Sequence, residues 1–331
     1  MTGTTSTTRA TGATRGRART GAEPDSEARE VEISWAVLAS LFQFRIATAE
    51  QLRQLLAPDR SIEKMRGRLR RLRDEGLVAE LVLPQSGRAK GWFLTEHGAR
   101  IAGAFPELAE VPAPRMPGDA TAFKYTLWHQ LAVVSTHLAF LAGARARGDR
   151  YGPFDFIPEV THRFAEGRDG SVRPDGLLFY GVNEPDGGVA RLRAFVEVDR
   201  GTMGAERLAS KLNAYARYWS TKTLPAGIRA GTVAAEQDGR VPLWERRYVR
   251  FPRLLFVLTG TGRVGFDNRV DELQLYAQDR HVAKMLAAVP AAAASLEDLQ
   301  QYGPSGEVWY PLADRQAEPV GFDELTLPGA G

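Results

Sequence analysis

Arg173-Pro174-Asp175-Gly176-Leu177-Leu178-Phe179-Tyr180 and, after a turn-rich segment at 181–188, Ala194-Phe195-Val196-Glu197-Val198-Asp199-Arg200 are two apolar runs with acidic residues at or beside them. Each sets an acid at the end of an apolar run of strand length, so strands are expected over 172–180 and 191–199. Side chains alternate along a strand, which puts Glu197 and Asp199 on one face and Val196 and Val198 on the other. Two neighbouring strands then aim Asp175 and Glu197 at one point. Such a pair suits a hard cation, because Mg²⁺ takes one or two carboxylates and completes its shell with waters and phosphate oxygens. Asp175 and Glu197 are therefore the candidate metal ligands and Mg²⁺ the candidate cofactor. A plainer reading stands beside this one. Pro-Asp-Gly is a turn signal in which Asp175 bonds its own backbone. Glu197 and Asp199, on a strand otherwise apolar, need Arg173, Arg200, Lys211 or a metal as partner.

After these strands a helix is expected over 203–219, with Leu208, Leu212, Tyr215 and Trp219 as its apolar stripe and Lys211 beside it. A buried strand at 253–258, a helix at 269–288 and a late strand at 308–311 follow. Ahead of the acidic strands lie a long amphipathic helix at 121–147 and a strand at 154–164. Glu159 on that strand is either a third acidic ligand or a surface residue, the second reading being preferred. His129 and His137 share a face of the long helix and read as core or surface histidines rather than general bases. Gly260-Thr261-Gly262-Arg263-Val264-Gly265 lacks the lysine of a phosphate loop and reads as a turn.

The first third has another rhythm. Helices are expected over 34–44, over 48–56 with Thr48 and Gln51 as a capping box, and from Ser61 to about 75. A hairpin at 77–84 and 90–94 and a helix at 95–101 complete the order of a winged helix-turn-helix. Between Arg60 and Arg73 the chain carries seven basic residues and one acid, Glu63. A basic helix of this kind lies in the major groove, where arginine pairs with guanine. Lys64, Arg66, Arg68, Arg70 and Arg71 are the candidate DNA contacts, joined by Arg88 and Lys90 at the hairpin tip. The bland alternative is a solvated arginine-rich helix. The expected organisation is a disordered basic tail (1–30), a winged-helix DNA-binding domain (31–105), a Pro-rich linker (106–119), an α/β domain (120–289) and a C-terminal extension (290–331).

The 331 residues carry no cysteine, which excludes disulfides, thiolate chemistry and Cys-based zinc sites. A net charge of +3 decides nothing about nucleic acid by itself. No run is apolar for the length a membrane helix needs, and the first residues lack the apolar core of a secretory signal, so no membrane partner and a cytoplasmic location are expected.

Pro174-Asp175 followed by Glu197-Val198-Asp199 resembles the PD-(D/E)XK nuclease superfamily. The two-part layout, with Arg-Pro-Asp-Gly, Val-Glu-Val-Asp-Arg-Gly-Thr and Lys-Leu-Asn-Ala-Tyr-Ala-Arg-Tyr, looks closer still to the replication-relaxation family of plasmid and mobile-element proteins. The resemblance runs from about Trp35 to Ala288. It implies a winged helix joined to a nuclease-like α/β core of helix, three strands, helix and strand. It also implies a role in plasmid replication or DNA relaxation. Asp175 matches the motif aspartate and Glu197 the acidic residue, but Asp199 stands where the motif has lysine. Lys211 on the following helix is the candidate replacement, and Asp199 a candidate for a second ion or for pairing Lys211. Implied partners are double-stranded DNA and replication or mobilisation proteins, with a homodimer as candidate assembly. The expected activity is a metal-dependent nickase or nuclease. The alternative is a non-enzymatic DNA-binding regulator or replication accessory with a catalytically dead nuclease fold.

Overall fold

The computed structural model describes residues 24–83, 89–108, 120–167, 169–201, 204–224 and 240–326. The expected tail up to residue 23, Arg88 and most of the Pro-rich linker lie outside them.

Helix α1 (Pro24–Phe44) begins at Pro24 rather than at 34. Proline is preorganised for a first helical turn, and the added turns carry Glu30, which Arg68 pairs. The boundary of the expected tail is corrected accordingly, since 24–30 is helix. Strand β1 (Ala47–Thr48) leads into α2 (Ala49–Leu56). The expected capping box is present: the Gln51 N–H donates to Thr48 Oγ1 (3.1 Å) and the Thr48 N–H donates to Gln51 Oε1 (2.9 Å). Ser61 caps α3 (Ile62–Asp74), and Gly76 stops the chain in the left-handed region (φ 73°), where glycine carries no Cβ penalty. Strands β2 (Val78–Val82) and β3 (Lys90–Leu94) pair antiparallel, and β1 joins β3 on its other edge. Helix α4 (Glu96–Ala102) follows. Leu41, Leu52, Leu69 and Trp92 lie in the core of this part.

The second part is built on α5 (Ala120–Arg147), β4 (Phe156–Ile157), β5 (His162–Arg163), β6 (Ser171–Val172), β7 (Gly176–Asn183) and β8 (Val189–Asp199). It continues with α6 (Ala205–Ser220), β9 (Lys222–Thr223), β10 (Val241–Pro242) and β11 (Arg253–Leu258). Helices α7 (Gly262–Tyr276) and α8 (Arg280–Leu286), strand β12 (Ala291–Ser295), helix α9 (Leu296–Tyr302) and strand β13 (Tyr310–Pro311) complete it. The main sheet has six strands in the order β13-β12-β11-β8-β7-β4. Strands β8, β11 and β12 are parallel; β4, β7 and β13 run antiparallel to their neighbours.

Three expectations change. The strand expected over 154–164 is broken, because Pro158 offers no N–H and Glu159 adopts φ 58°. The helix expected over 269–288 is two, since Asp279 leaves the helical region and caps α8 through the His281 N–H (2.9 Å). The expected C-terminal extension from 290 contributes to the main sheet: all five residues of β12 are buried in it. Alanines there are too small to announce a core strand by hydropathy.

Alternation along β8 decides the layering. Ala194, Val196 and Val198 face the core shared with α5 and α9, whereas Phe195 faces the core shared with α6, α7 and α8. Glu197 and Asp199 fall on the α6 side. The N-terminal part docks firmly on α5. Gln51 Nε2 donates to Leu131 O and Ser135 Oγ (both 3.0 Å), Arg145 donates to Gln54 O and Leu55 O (2.5 and 2.8 Å), and Phe44 and Leu55 join the sheet core. Among the described residues no helix is long and apolar enough to cross a membrane.

Candidate functional site

Asp175 immediately precedes β7, where Gly176 pairs with Val196; the same antiparallel register sets Asp175 across from Glu197. Gly176 is not a turn glycine. It opens the strand, and a Cβ there would meet the Phe156 ring at 1.9 Å. The Asp175 carboxylate does not close a turn on its own backbone. Its Oδ2 accepts the Val198 N–H at 2.8 Å, and its Oδ1 lies 3.0 Å from His129 Nε2.

Glu197 is only 4% exposed. Helix α6 crosses above it and brings two partners one turn apart. The Lys211 ammonium pairs with Glu197 Oε2, and the Tyr215 hydroxyl donates to Oε1 at 2.6 Å. The same Lys211 Nζ is 3.7 Å from Asp175 Oδ2. Asp175, Glu197 and Lys211 therefore meet. Asp199, two residues on, has its Oδ1 accepting the Gly201 N–H (3.1 Å) and its Oδ2 3.4 Å from Arg269 Nη1 on α7, while its charge also acts on Lys211.

Burial pushes the Glu197 carboxyl up to about 7, against the attraction of Lys211 and reinforced by the charge of Asp175. Burial also works to raise Asp175, but the His129 hydrogen bond and the Lys211 charge outweigh it and hold the group below its ordinary value. Burial works to lower Lys211, and here Glu197 and Asp175 win, so the ammonium is raised. Lys211 thus stays protonated near neutrality and acts as a donor and a charge, not as a base.

His129, expected from the sequence to be a core or surface histidine, belongs to the site through Asp175. Its spacing to His137 suggested nothing, since the partner lies 46 positions away in the chain. His137 is a core residue: Nε2–H donates to Pro153 O (3.1 Å) and Nδ1 accepts from the Tyr151 hydroxyl (2.6 Å). Glu159 is held by Arg45 and Arg173.

On α3, Arg66, Arg70 and Arg73 follow one another at helical spacing and line an open cleft of about 620 Å³ with Lys90 and the start of α2. Lys64 and Arg71 are exposed, the latter 3.4 Å from Glu30. Lys90 pairs with Glu80 at 2.6 Å. Arg68 departs from expectation. It shares the inward face with Met65, Leu69 and Leu72, is 5% exposed, and donates to Glu30 and to Ser34 Oγ (2.9 Å).

The chain is thus an α/β protein in which a lysine from one helix joins two carboxylates from adjacent strands, beside a basic three-helix unit. The family model described as replication-relaxation matches residues 38–229, a span that includes α3, Asp175, Glu197 and Lys211. The chain belongs to the replication-relaxation family. No curated protein and no solved structure matches it.

Proposed function

We propose that this protein binds duplex DNA through α3 and acts in plasmid or mobile-element replication or relaxation, with Asp175, Glu197 and Lys211 directed at a phosphodiester. The observation that carries this reading is the Lys211 ammonium set against both carboxylates. The order of the N-terminal elements supports a winged helix-turn-helix. A helix, an antiparallel β4-β7-β8 run, the crossing α6 and a parallel β11 support a PD-(D/E)XK-like core.

The donor set fits a hard divalent cation. Two carboxylates converge, the donor type such an ion takes, and the ion would have to displace the Lys211 ammonium that now neutralises them. Asp175 and Glu197 would hold the ion, with His129 beside them. A bound Mg²⁺ supplies Lewis acidity toward a phosphoryl oxygen. The chain's own residues do the rest. Tyr215 fixes Glu197 Oε1, and His129 and the Val198 N–H fix Asp175. Lys211, kept protonated, orients water and offsets charge that develops on phosphate oxygens. Incubating supercoiled plasmid with Mg²⁺ or Mn²⁺ tests this: wild type should nick it, and Asp175→Asn and Lys211→Ala should not.

A second reading rests on a different observation. Each oxygen of Asp175 and Glu197 already has a protein partner. Among the described residues no group of three or more His, Asp or Glu is arranged to hold a metal. On this reading the cluster is structural and the protein is a DNA-binding replication accessory. Intact DNA binding with no nicking under either metal would select it.

A further inference from the structure

Two non-glycine residues among those described have positive φ, Arg45 at 69° and Glu159 at 58°. They are each other's partners. Arg45 Nη2 donates to Glu159 Oε2, and Arg173 Nη2 pairs with that same oxygen. Left-handed backbone is costly for residues with a Cβ and persists where the surroundings fix it, which draws attention to what these side chains do. One carboxylate faces two guanidiniums, so the group keeps a surplus positive charge. Both arginines reach solvent, at 38% and 53% side-chain exposure. Arg45 and Glu159 line a small cleft together with His129 and Asp175. Thr48 and Ala49, just beyond Arg45 in the chain, line the α3 cleft. Arg45 thus lines the cleft of Asp175 three residues before the chain enters the α3 cleft at Thr48.

We propose that Arg45 and Arg173 form a phosphate seat for a DNA strand running from the α3 cleft toward Asp175, with Glu159 holding both guanidiniums in place until a phosphate shares them. Arginine suits this role because its planar fork meets two phosphate oxygens at once. The charge order supports it: negative groups sit at the centre of the site and the surplus positive charge at its rim, where the backbone of a strand would pass. The inference rests on the DNA-binding reading above and adds to it the residues of the N-terminal part that complete the site.

The test is binding of a fluorescein-labelled mixed-sequence duplex to the full chain, followed by anisotropy over a salt series. Removing one arginine from a phosphate should reduce the steepness of log K against log[salt] by about 1. Arg45→Gly and Arg173→Ala should each give that reduction, and Arg45→Lys should retain the slope while weakening binding. Arg45→Gly also relieves the left-handed backbone, so it should melt at or above the wild-type temperature, which separates an effect on charge from an effect on folding. Glu159→Gln should raise affinity at low salt. Unchanged slopes in Arg45→Gly and Arg173→Ala, with a reduced slope in Arg66→Ala, would overturn the seat and leave DNA binding by α3 standing. A wild-type protein that does not bind the duplex would overturn both.

Discussion

Lys211 Nζ pairs with Glu197 and lies 3.7 Å from Asp175 Oδ2, so one side chain of α6 ties together carboxylates from two strands. Its removal leaves two acids facing each other under a helix.

Lys211→Met is accordingly expected to cost about 3–5 kcal/mol near pH 8, the usual result of stripping one partner from a buried ion pair. The cost should shrink as pH falls toward 6, because Glu197, without the Lys211 charge that lowers its value, takes up a proton more readily in the variant and the repulsion ends. Urea denaturation at the two pH values measures it. A penalty below about 1 kcal/mol at pH 8 would mean that the bridge adds nothing to the fold.

Glu197 itself gives a pH signature. Its folded value of about 7 lies above the ordinary 4.5, so between these two the native state keeps a proton that the unfolded state has lost. Stability from this group is complete below about 4.5 and is lost as pH rises through 7. Glu197→Gln keeps a neutral side chain throughout. The stability of the variant relative to wild type should therefore rise with pH across that window and flatten above it. A difference independent of pH would show that Glu197 titrates normally.

Two histidines act in the opposite direction. Burial pushes His137 down to about 3, helped by the Arg145 charge, and His162 down to about 4, helped by Arg247. In each neutral ring one nitrogen donates to a backbone carbonyl and the other accepts from a tyrosine hydroxyl, Tyr151 for His137 and Tyr248 for His162. The unfolded chain protonates near 6.5, so their stability is present above that value and is lost as pH falls through the folded values. Thermal melts from pH 7 to 4 should show a steep fall. His162→Phe should reduce its slope, and an unchanged slope would remove His162 as a contributor.

The arginines of α3 should separate by role. Arg66→Ala or Arg70→Ala should weaken specific DNA binding by about 1–3 kcal/mol where either reads a base edge, with little change in melting. Arg68→Ala should do the reverse. It removes charged hydrogen bonds to Glu30 and Ser34 and should cost about 1.5–3 kcal/mol of stability. Equal effects of the three substitutions on binding and on stability would erase the distinction between the two faces.

Strong local signals in the sequence were legible: the capping box at Thr48 and Gln51, Lys211 beside an apolar stripe, and two adjacent strands near Asp175 and Glu197, although the first begins at Gly176 rather than at 172 and leaves Asp175 just outside it. What escaped depended on long-range contacts. His129 is recognised only by Asp175, and Arg68 is turned inward by Glu30 from turns of α1 that start earlier than its apolar pattern does. Strand β12 escaped because Ala291–Ser295 is nearly all alanine, and alanine signals neither strand nor core until helices close over it. Pro-Asp-Gly misled in part, since Gly176 answers to the ring of Phe156 and not to a turn.

The docking of α2 on α5 has a geometric consequence. Phe44 and Leu55 belong to the sheet core, and Arg145 grips the backbone at the end of α2, so direct contacts hold the unit that carries α3 against the helix that carries His129, the partner of Asp175. A duplex seated on α3 would meet the carboxylates at one constant offset along its length, as if against the end-stop of a ruler. On the proposed reading, chemistry at Asp175 would then fall a set number of base pairs from the contacts made by α3.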